Sequence, residues 1–344
     1  MNDHSPTAWT PSFLADGRLI LTLAISEYDH VRDLTEGLVR AQGISINAVS
    51  FAVEEIFHRF TRYREWEVSE MSMGKYTSLV SQNDRTVTAI PIFPSRVFRH
   101  SSFYIRRDSG IRRPQDLKGK RIGLPEWAQT AAIYSRGMLA SEYGVELPDV
   151  EWVQAGVNQP GRQEKVELKL PKGVRYRQRP DSSLDRMLLA GEVDCVMSAH
   201  APPSFEAGHP DLVRLFEDYR PVEEAYYKKT GIFPIMHVIA LRGEVLERFP
   251  WVATNLVEAF TEAKRRSVAR ATEITASRFP LPWMTDHIAR AQTLMGGDPL
   301  PYGIEASRAT LEAFLRFGFE QGVCHRHLKP EELFPATVLT SVKI

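Results

Sequence analysis

The chain of 344 residues has only two cysteines, Cys195 in VDCVMS and Cys324 in GVCHRH, too few for a disulfide framework and in keeping with a reducing compartment. No sign of charge is in excess. The 43 Lys and Arg stand against 43 Asp and Glu, so no global field draws nucleic acid or an anionic membrane, and any anion site must be local. No apolar run reaches the ~18 residues that a membrane span needs. The opening MNDHSPTAWTPSFLADGR has no basic stretch followed by an apolar core, so no export signal is read there and a cytoplasmic location is expected. SMGKYTS lacks the upstream glycine of a phosphate loop, and neither a Rossmann glycine fingerprint nor an internal repeat occurs. What is present is a 43% hydrophobic chain, long enough for a large core and about two domains.

Short apolar runs alternate with amphipathic stretches throughout, the pattern of an α/β protein with mainly parallel sheet. LILTLAI reads as the first strand, followed by a helix with apolar Val31, Leu34 and Leu38. AVEEIFHRFTRY and VSEMSMGKYTSLVSQ read as helices, and VTAIPIF and RIGL as strands. A helix runs on from Trp127, another ends at Gly191, and Val193 to Met197 is a strand. NQPGRQEKVELKLPKGVRYRQRP breaks the pattern and reads as an excursion, a hairpin, in the second domain. GIFPIMHVIAL is a further strand, and two long helices follow. This order predicts a first lobe of residues 1–98 and 237–344, an inserted second lobe of residues 99–236, and a ligand cleft between them at the two crossings.

DLKGKRIGLPE followed by a helix, then LLAGEVDCVMSA, resembles the second lobe of the type II periplasmic-binding-protein-like fold. A narrower set resembles the 4,5-dihydroxyphthalate decarboxylase family: YDHVRDLTEG, EEIFHRF, VSEMSMGKY, AIPIFPSRVFRHSSFYIRRDSGI, GLPEWAQTAAIYSRGML, AYYKKTGIFPIMHV and PYGIEASRATLEAFLRFGFEQG. The resemblance implies a cytoplasmic carboxy-lyase of phthalate catabolism that turns 4,5-dihydroxyphthalate into protocatechuate and carbon dioxide. Its partner would be a small aromatic dicarboxylate, with no nucleic acid or membrane involved, and the chain is expected to form a homo-oligomer. AHAPPSF stands where the family pattern has an Arg-Pro-Pro-Ser arrangement.

Such a reaction needs a proton donor at the ring carbon, a group for the phenol and cations for the carboxylate that stays. It needs no redox cofactor, and none is expected. Arginine pairs bidentately with carboxylates, and histidine exchanges protons near neutral pH. In FPSRVFRHSS an extended strand puts Arg96 and His100 on one face and Arg99 on the other. His30, His100 and His237 come from three segments expected at the cleft, and with Glu70 they are the candidate catalytic residues. His237, in an apolar run, reads more often as a hydrogen-bonded core residue than as a catalyst. The same histidines are the candidate ligands if a divalent metal is present, although no short-range ligand motif supports one. Arg96, Arg99, Ser69, Glu126, Thr130, Arg162, Tyr227 and Thr230 are the candidate substrate-binding residues. Ser69 reads also as a helix N-cap and Glu126 to Thr130 as a helix start. Cys324, His325 and His327 read as a solvated helix end. A solute-binding protein for an aromatic acid, or another lyase on this scaffold, remains the alternative to the decarboxylase.

Overall fold

The computed structural model describes residues 9–276 and 278–339. The ends of the expected first lobe, residues 1–8 and 340–344, and with them half of the opening stretch read for an export signal, lie outside the described residues.

In chain order, β1 (Ser12–Phe13), β2 (Leu19–Ala24), α1 (Asp29–Thr35), β3 (Ile44–Val49), α2 (Val53–Tyr63), β4 (Val68–Ser72), α3 (Met73–Ser81) and β5 (Val87–Ile90) build most of the first lobe. The second lobe holds β6 (Phe103–Arg106), β7 (Arg121–Leu124), α4 (Thr130–Tyr143), β8 (Glu151–Gly156), β9 (Arg175–Ser183), α5 (Leu184–Leu189), β10 (Cys195–Met197), α6 (Pro203–Glu206), β11 (Leu212–Arg214) and α7 (Tyr219–Thr230). The chain then returns through β12 (His237–Arg242), α8 (Gly243–Arg248), α9 (Trp251–Ala271), α10 (Met284–Met295) and α11 (Arg308–Glu320). One sheet runs β1-β2-β4-β12-β5 with β3 on β2, and the other runs β11-β6-β10-β7-β8-β9. Each has parallel pairs with antiparallel additions: β1 and β12 in the first, β6 and β11 in the second. β12 belongs to the first sheet although it follows the second in sequence, so the chain crosses between lobes twice.

The reasons lie in side-chain patterning. β2 and β4 are nearly continuous buried runs, as strands covered on both faces must be. α2 buries Ile56 and Phe60, one turn apart, and leaves the rest of its surface to solvent and the cleft. Burial of a side chain such as Phe60 contributes roughly 1.5–3 kcal/mol. The C-terminal segment does not keep to the first lobe. α11 lies against α4 of the second, with the Phe314 and Tyr134 ring centroids 4.7 Å apart and the Phe317 ring over Gly137, where any Cβ would collide with it.

Three local expectations are corrected. VSEMS is a strand, not the start of a helix: its first four residues are buried, and β4 bonds to β2 and β12 on its two sides. The excursion is no hairpin, because after a long loop β9 pairs parallel to β8. FRHSS is not extended. Residues His100–Ser102 form a single 3-10 turn before β6, which breaks the alternation on which the facing of Arg96, Arg99 and His100 was read. Leu38 is exposed rather than part of the α1 core face, and Cys324 is buried rather than solvated.

Candidate active site

A cleft of about 1340 Å³ lies between the lobes, lined by α2, the start of α3, both crossings, the turn before α4 and the loop from Gly156 to Val166. At its floor β12 enters the first sheet, and the register sets His237 opposite Ser72 and Ile239 opposite Glu70. His237 lines the cleft, while Glu70 is fully buried beneath it. Their contact is Nδ1 to Oε1 at 2.5 Å. Glu70 also accepts hydrogen bonds from the Tyr28 hydroxyl at 2.5 Å and from the Ser26 N–H at 2.9 Å. Burial works to raise the carboxyl's pKa, but the bonds from His237, Tyr28 and Ser26 outweigh it and hold it below the usual range. Glu70 is therefore an acceptor, and the proton it faces belongs to His237 Nδ1. Nε2 has no partner among the described residues. Phe57 packs edge-on against the imidazole at 4.9 Å and fixes its plane.

Above this pair two helix N-termini meet. Ser72, ahead of α3, has its hydroxyl 3.0 Å from that of Thr130, the first residue of α4, and Thr130 Oγ1 accepts the Gly74 N–H at 3.0 Å. Gly74 is required here, since a Cβ would stand 2.5 Å from the Ala128 carbonyl oxygen. The anion at the turn before α4 is the protein's own: Glu164 accepts from the Trp127 N–H at 2.6 Å and the Ala128 N–H at 3.2 Å. Arg162 and Lys165 pair with Glu126 at 2.6 and 3.3 Å. Lys75 donates to the Lys165 carbonyl, tying α3 to the same loop, and burial lowers its pKa.

Arg99 lines the cleft wall and has no carboxylate partner among the described residues. Its Nε lies 3.2 Å from Met236 Sδ, and burial lowers its pKa to about 10, so it stays charged at neutral pH. Arg96, expected beside it, points away into the protein. It donates to the Phe233 and Pro301 carbonyls and to Ser307 Oγ, and braces the two crossings instead of facing a ligand. His100 is also outside the cleft, buried among Tyr143, Phe216 and Tyr226. Alternation is thus inverted: Arg99 faces the cleft, and Arg96 and His100 do not.

Other candidates are placed as follows. Glu70, His237, Glu126, Thr130, Arg162 and Arg99 are gathered at or directly under the cleft. Ser69 is buried on the far side of β4 and donates to the Glu70 carbonyl. Thr230 closes the end of α7 by bonding to the Tyr226 carbonyl, and Tyr227 packs on Phe98; neither lines the cleft. His30 lies behind Tyr28, its Nε2 buried without a partner and its pKa pushed down to about 4 by burial. Among the described residues no three His, Cys, Asp or Glu side chains come together as metal ligands, and His30, His100 and His237 do not converge. Sequence reasoning missed Tyr28, Phe57 and Lys75, as well as a pair across the cleft mouth, Glu54 on α2 and His200 after β10, at 2.9 Å. Glu54, Phe57, His58 and Thr61 all line the cleft, and their i, i+3, i+4, i+7 spacing on one face of α2 was the available signal.

Two α/β lobes with two crossings and a ligand cleft define the class of the periplasmic-binding-protein-like folds. The periplasmic aliphatic sulphonate binding protein SsuA from Escherichia coli aligns with a TM-score of 0.52 at 12% identity, covering 93% of this chain and 98% of that one. The putative sulfonate-binding SsuA from Methylobacillus flagellatus KT aligns at 0.51 and 13% identity, covering 94% and 93%. These likenesses concern the fold alone. Residues 95–166 match the family model described as NMT1/THI5 like. Sequence similarity is more specific. The 4,5-dihydroxyphthalate decarboxylase of Comamonas testosteroni is 38% identical over 328 residues, 95% of this chain and 99% of that protein. Its namesake from Pseudomonas putida is 38% identical over 212 residues, 61% of this chain and 82% of that one. The chain belongs to the 4,5-dihydroxyphthalate decarboxylase family.

Proposed function

We propose that the protein is a carboxy-lyase that removes one carboxylate from 4,5-dihydroxyphthalate, giving protocatechuate and carbon dioxide, in the cytoplasm and within phthalate catabolism. The observation that carries this is the Glu70–His237 pair at the cleft floor of a chain 38% identical to a 4,5-dihydroxyphthalate decarboxylase over nearly its whole length. A hydroxyl para to the leaving carboxylate pushes electron density onto the ring carbon that bears it. His237 Nε2 delivers a proton to that carbon. The bond to the carboxylate then breaks, its electron pair restores the aromatic ring, and carbon dioxide leaves. Glu70 holds the imidazole in the orientation and tautomer for this, and Tyr28 and the Ser26 N–H hold Glu70. Arg99 pairs with the carboxylate that stays. The Ser72 and Thr130 hydroxyls and the two helix N-termini receive the phenolic oxygens and favour the ionised phenolate, the form that donates most strongly into the ring.

A sulfonate-receptor fold raises a second reading, binding of an aromatic acid without chemistry. A receptor has use for Arg99 but little for a carboxylate-oriented imidazole. Incubating chelator-treated protein with 4,5-dihydroxyphthalate and following carbon dioxide and protocatechuate separates the two. Turnover is expected; tight binding without product would establish the receptor, and activity that returns only with a divalent ion would add a metal to the mechanism.

A further inference from the structure

Two side chains in the corner where α3 meets the turn before α4 are left without a counterpart, and the reaction above uses neither. Lys75, in the first turn of α3, is half-buried and lines the cleft. Its Nζ donates to the Lys165 carbonyl at 3.1 Å, and no carboxylate lies within ion-pair distance of it among the described residues. Of the carboxylates nearby, Glu126 is shared by Arg162 and Lys165, and Glu164 is taken up by the Trp127 and Ala128 N–H groups. Gln129, the residue before α4, lines the same cleft, and its buried Oε1 has no hydrogen-bond donor among the described residues. A buried polar atom in that state calls for a partner.

The contacts of Gly74 put the two in one place. Its N–H donates to Thr130 Oγ1 at 3.0 Å, and a Cβ on it would stand 2.5 Å from the Ala128 carbonyl oxygen. Lys75 is the next residue after Gly74, and Gln129 stands between Ala128 and Thr130. Ser72, three residues before Lys75, shares its side of the first turn, and its hydroxyl meets that of Thr130 at 3.0 Å. The corner thus holds an ammonium, an amide oxygen and two hydroxyls, while Arg99 stands apart on the outgoing crossing, against Met236. The charged groups that face Lys75 are Lys165 and Glu164 from the loop, Glu126 from the turn and Arg64 at the end of α2. Burial and the two cations work against its charge, the two carboxylates favour it, and the balance lowers its pKa. An anion brought within reach would restore what burial takes away.

We propose that Lys75 and Gln129 bind the dihydroxy edge of the ring after it has lost one proton: the ammonium pairs with the ionised oxygen, para to the carboxylate that leaves, and the Gln129 amide oxygen accepts the O–H beside it. This rests on the reading of Ser72 and Thr130 as the phenol end of the site. A 1,2-dihydroxy ring that has lost one proton presents one O⁻ and one O–H side by side, the complement of an unpaired ammonium and an unpaired acceptor. The phenolic proton goes to solvent on binding, and no other bond is made or broken at this edge. Ionisation makes that oxygen the ring's strongest electron donor toward the carbon that His237 protonates, and the edge is the same in substrate and product. A ring with a single hydroxyl fills only half of the corner, so the pair also selects the vicinal dihydroxy pattern.

The test reads the ring's own near-ultraviolet absorbance, which moves to longer wavelength when a phenol ionises. In His237→Gln, where 4,5-dihydroxyphthalate binds without turnover, the bound ligand is expected to titrate about one pH unit or more below the free ligand. Lys75→Met in the same background should raise that midpoint by about one pH unit or more, and Lys75→Arg, which keeps the charge, should hold it low. Phthalate, which lacks both hydroxyls, should bind Lys75→Met and Gln129→Met as it binds the unsubstituted protein, whereas 4,5-dihydroxyphthalate should bind each about tenfold more weakly. A bound midpoint that ignores Lys75→Met overturns the proposal even in a chain that decarboxylates its substrate. Phthalate affinity that falls as far as that of 4,5-dihydroxyphthalate overturns it too, and makes Lys75 a second cation for carboxylates. A midpoint that follows Lys75 in a chain that releases no carbon dioxide from 4,5-dihydroxyphthalate upholds the proposal and overturns the proposed activity.

Discussion

Two histidines in this chain differ in what their neighbours allow, and the difference is testable at single positions. His237 meets an ionised carboxylate, so its Nδ1 has a fixed partner and its Nε2 a fixed direction. Glu70→Gln keeps the shape but removes the charge, and should lower kcat by about 10²–10⁴ while leaving KM nearly unchanged, since Glu70 is buried out of reach of the ligand. A large rise in KM with kcat intact would make Glu70 a binding residue. His100 meets only rings and one distant carboxylate, and burial pushes its pKa down from 6.5 to about 4. The folded value lies below the unfolded one, so the unfolded chain binds the proton more tightly. Stability is then full above pH 6.5 and is lost as the pH falls toward 4, by about 3 kcal/mol for this residue. His100→Phe, which suits a pocket of Tyr143, Phe216 and Tyr226, should flatten that acid loss in urea unfolding at pH 7.5 and pH 5. An unaltered loss would place the acid sensitivity in other groups, His30 first.

Elements were legible in the sequence where the apolar period is unambiguous, and misread where tertiary partners decide. α2, α9 and α11 and the strands β2, β7 and β12 stand where their patterns place them. VSEMS carries Ser, Glu and Ser in a five-residue run, which reads as a capped helix start. Only the pairing with β12, from the far end of the chain, and the three bonds that satisfy Glu70 make it a buried strand. FRHSS shows the same limit. Of its charged or titratable residues only Arg99 lines the cleft, because one 3-10 turn sets His100 away from it. The pair Glu70–His237 was legible as residues and not as a contact, because its members lie 167 residues apart and meet only through strand register. α4 and α11 give this level its prediction. Gly137 has no room for a Cβ under Phe317, so Gly137→Ala should destabilise the protein by about 1–3 kcal/mol through overpacking, read as a lower urea midpoint. Gly137→Ala combined with Phe317→Leu should recover part of that loss; no recovery would mean the strain falls elsewhere.

For the molecule as a whole the question is what sets the distance between the lobes. A cleft of about 1340 Å³ is larger than a single aromatic acid needs, and the lobes are expected to approach when it binds. Contacts that already cross it therefore bias an equilibrium. Glu54 and His200 meet across the mouth at 2.9 Å, with side chains 45% and 65% exposed, and such a pair is worth less than about 1 kcal/mol. That is minor for unfolding but enough to change an open-to-closed ratio about fivefold. The hydrogen bond to Glu54 raises the His200 pKa, so this contribution is complete below the ordinary histidine value and is lost as the pH rises through the raised one. The bond to His200 in turn lowers Glu54 to about 2, so on the acid side the contribution is whole above the ordinary glutamate value of 4.5 and is lost as the pH falls from there toward 2. Raising the pH or the salt should therefore open the cleft. Glu54→Gln should do so wherever His200 is protonated, seen as a larger radius of gyration in small-angle scattering of the ligand-free protein and as a KM several-fold higher at constant kcat. If the radius and KM of Glu54→Gln match those of the unsubstituted protein, and neither responds to salt, the pair is an ornament of the surface and the lobes are spaced by the two crossings, where Arg96 ties the outgoing strand to the Phe233 and Pro301 carbonyls, together with the Gly74–Thr130 contact and the packing of α11 on α4.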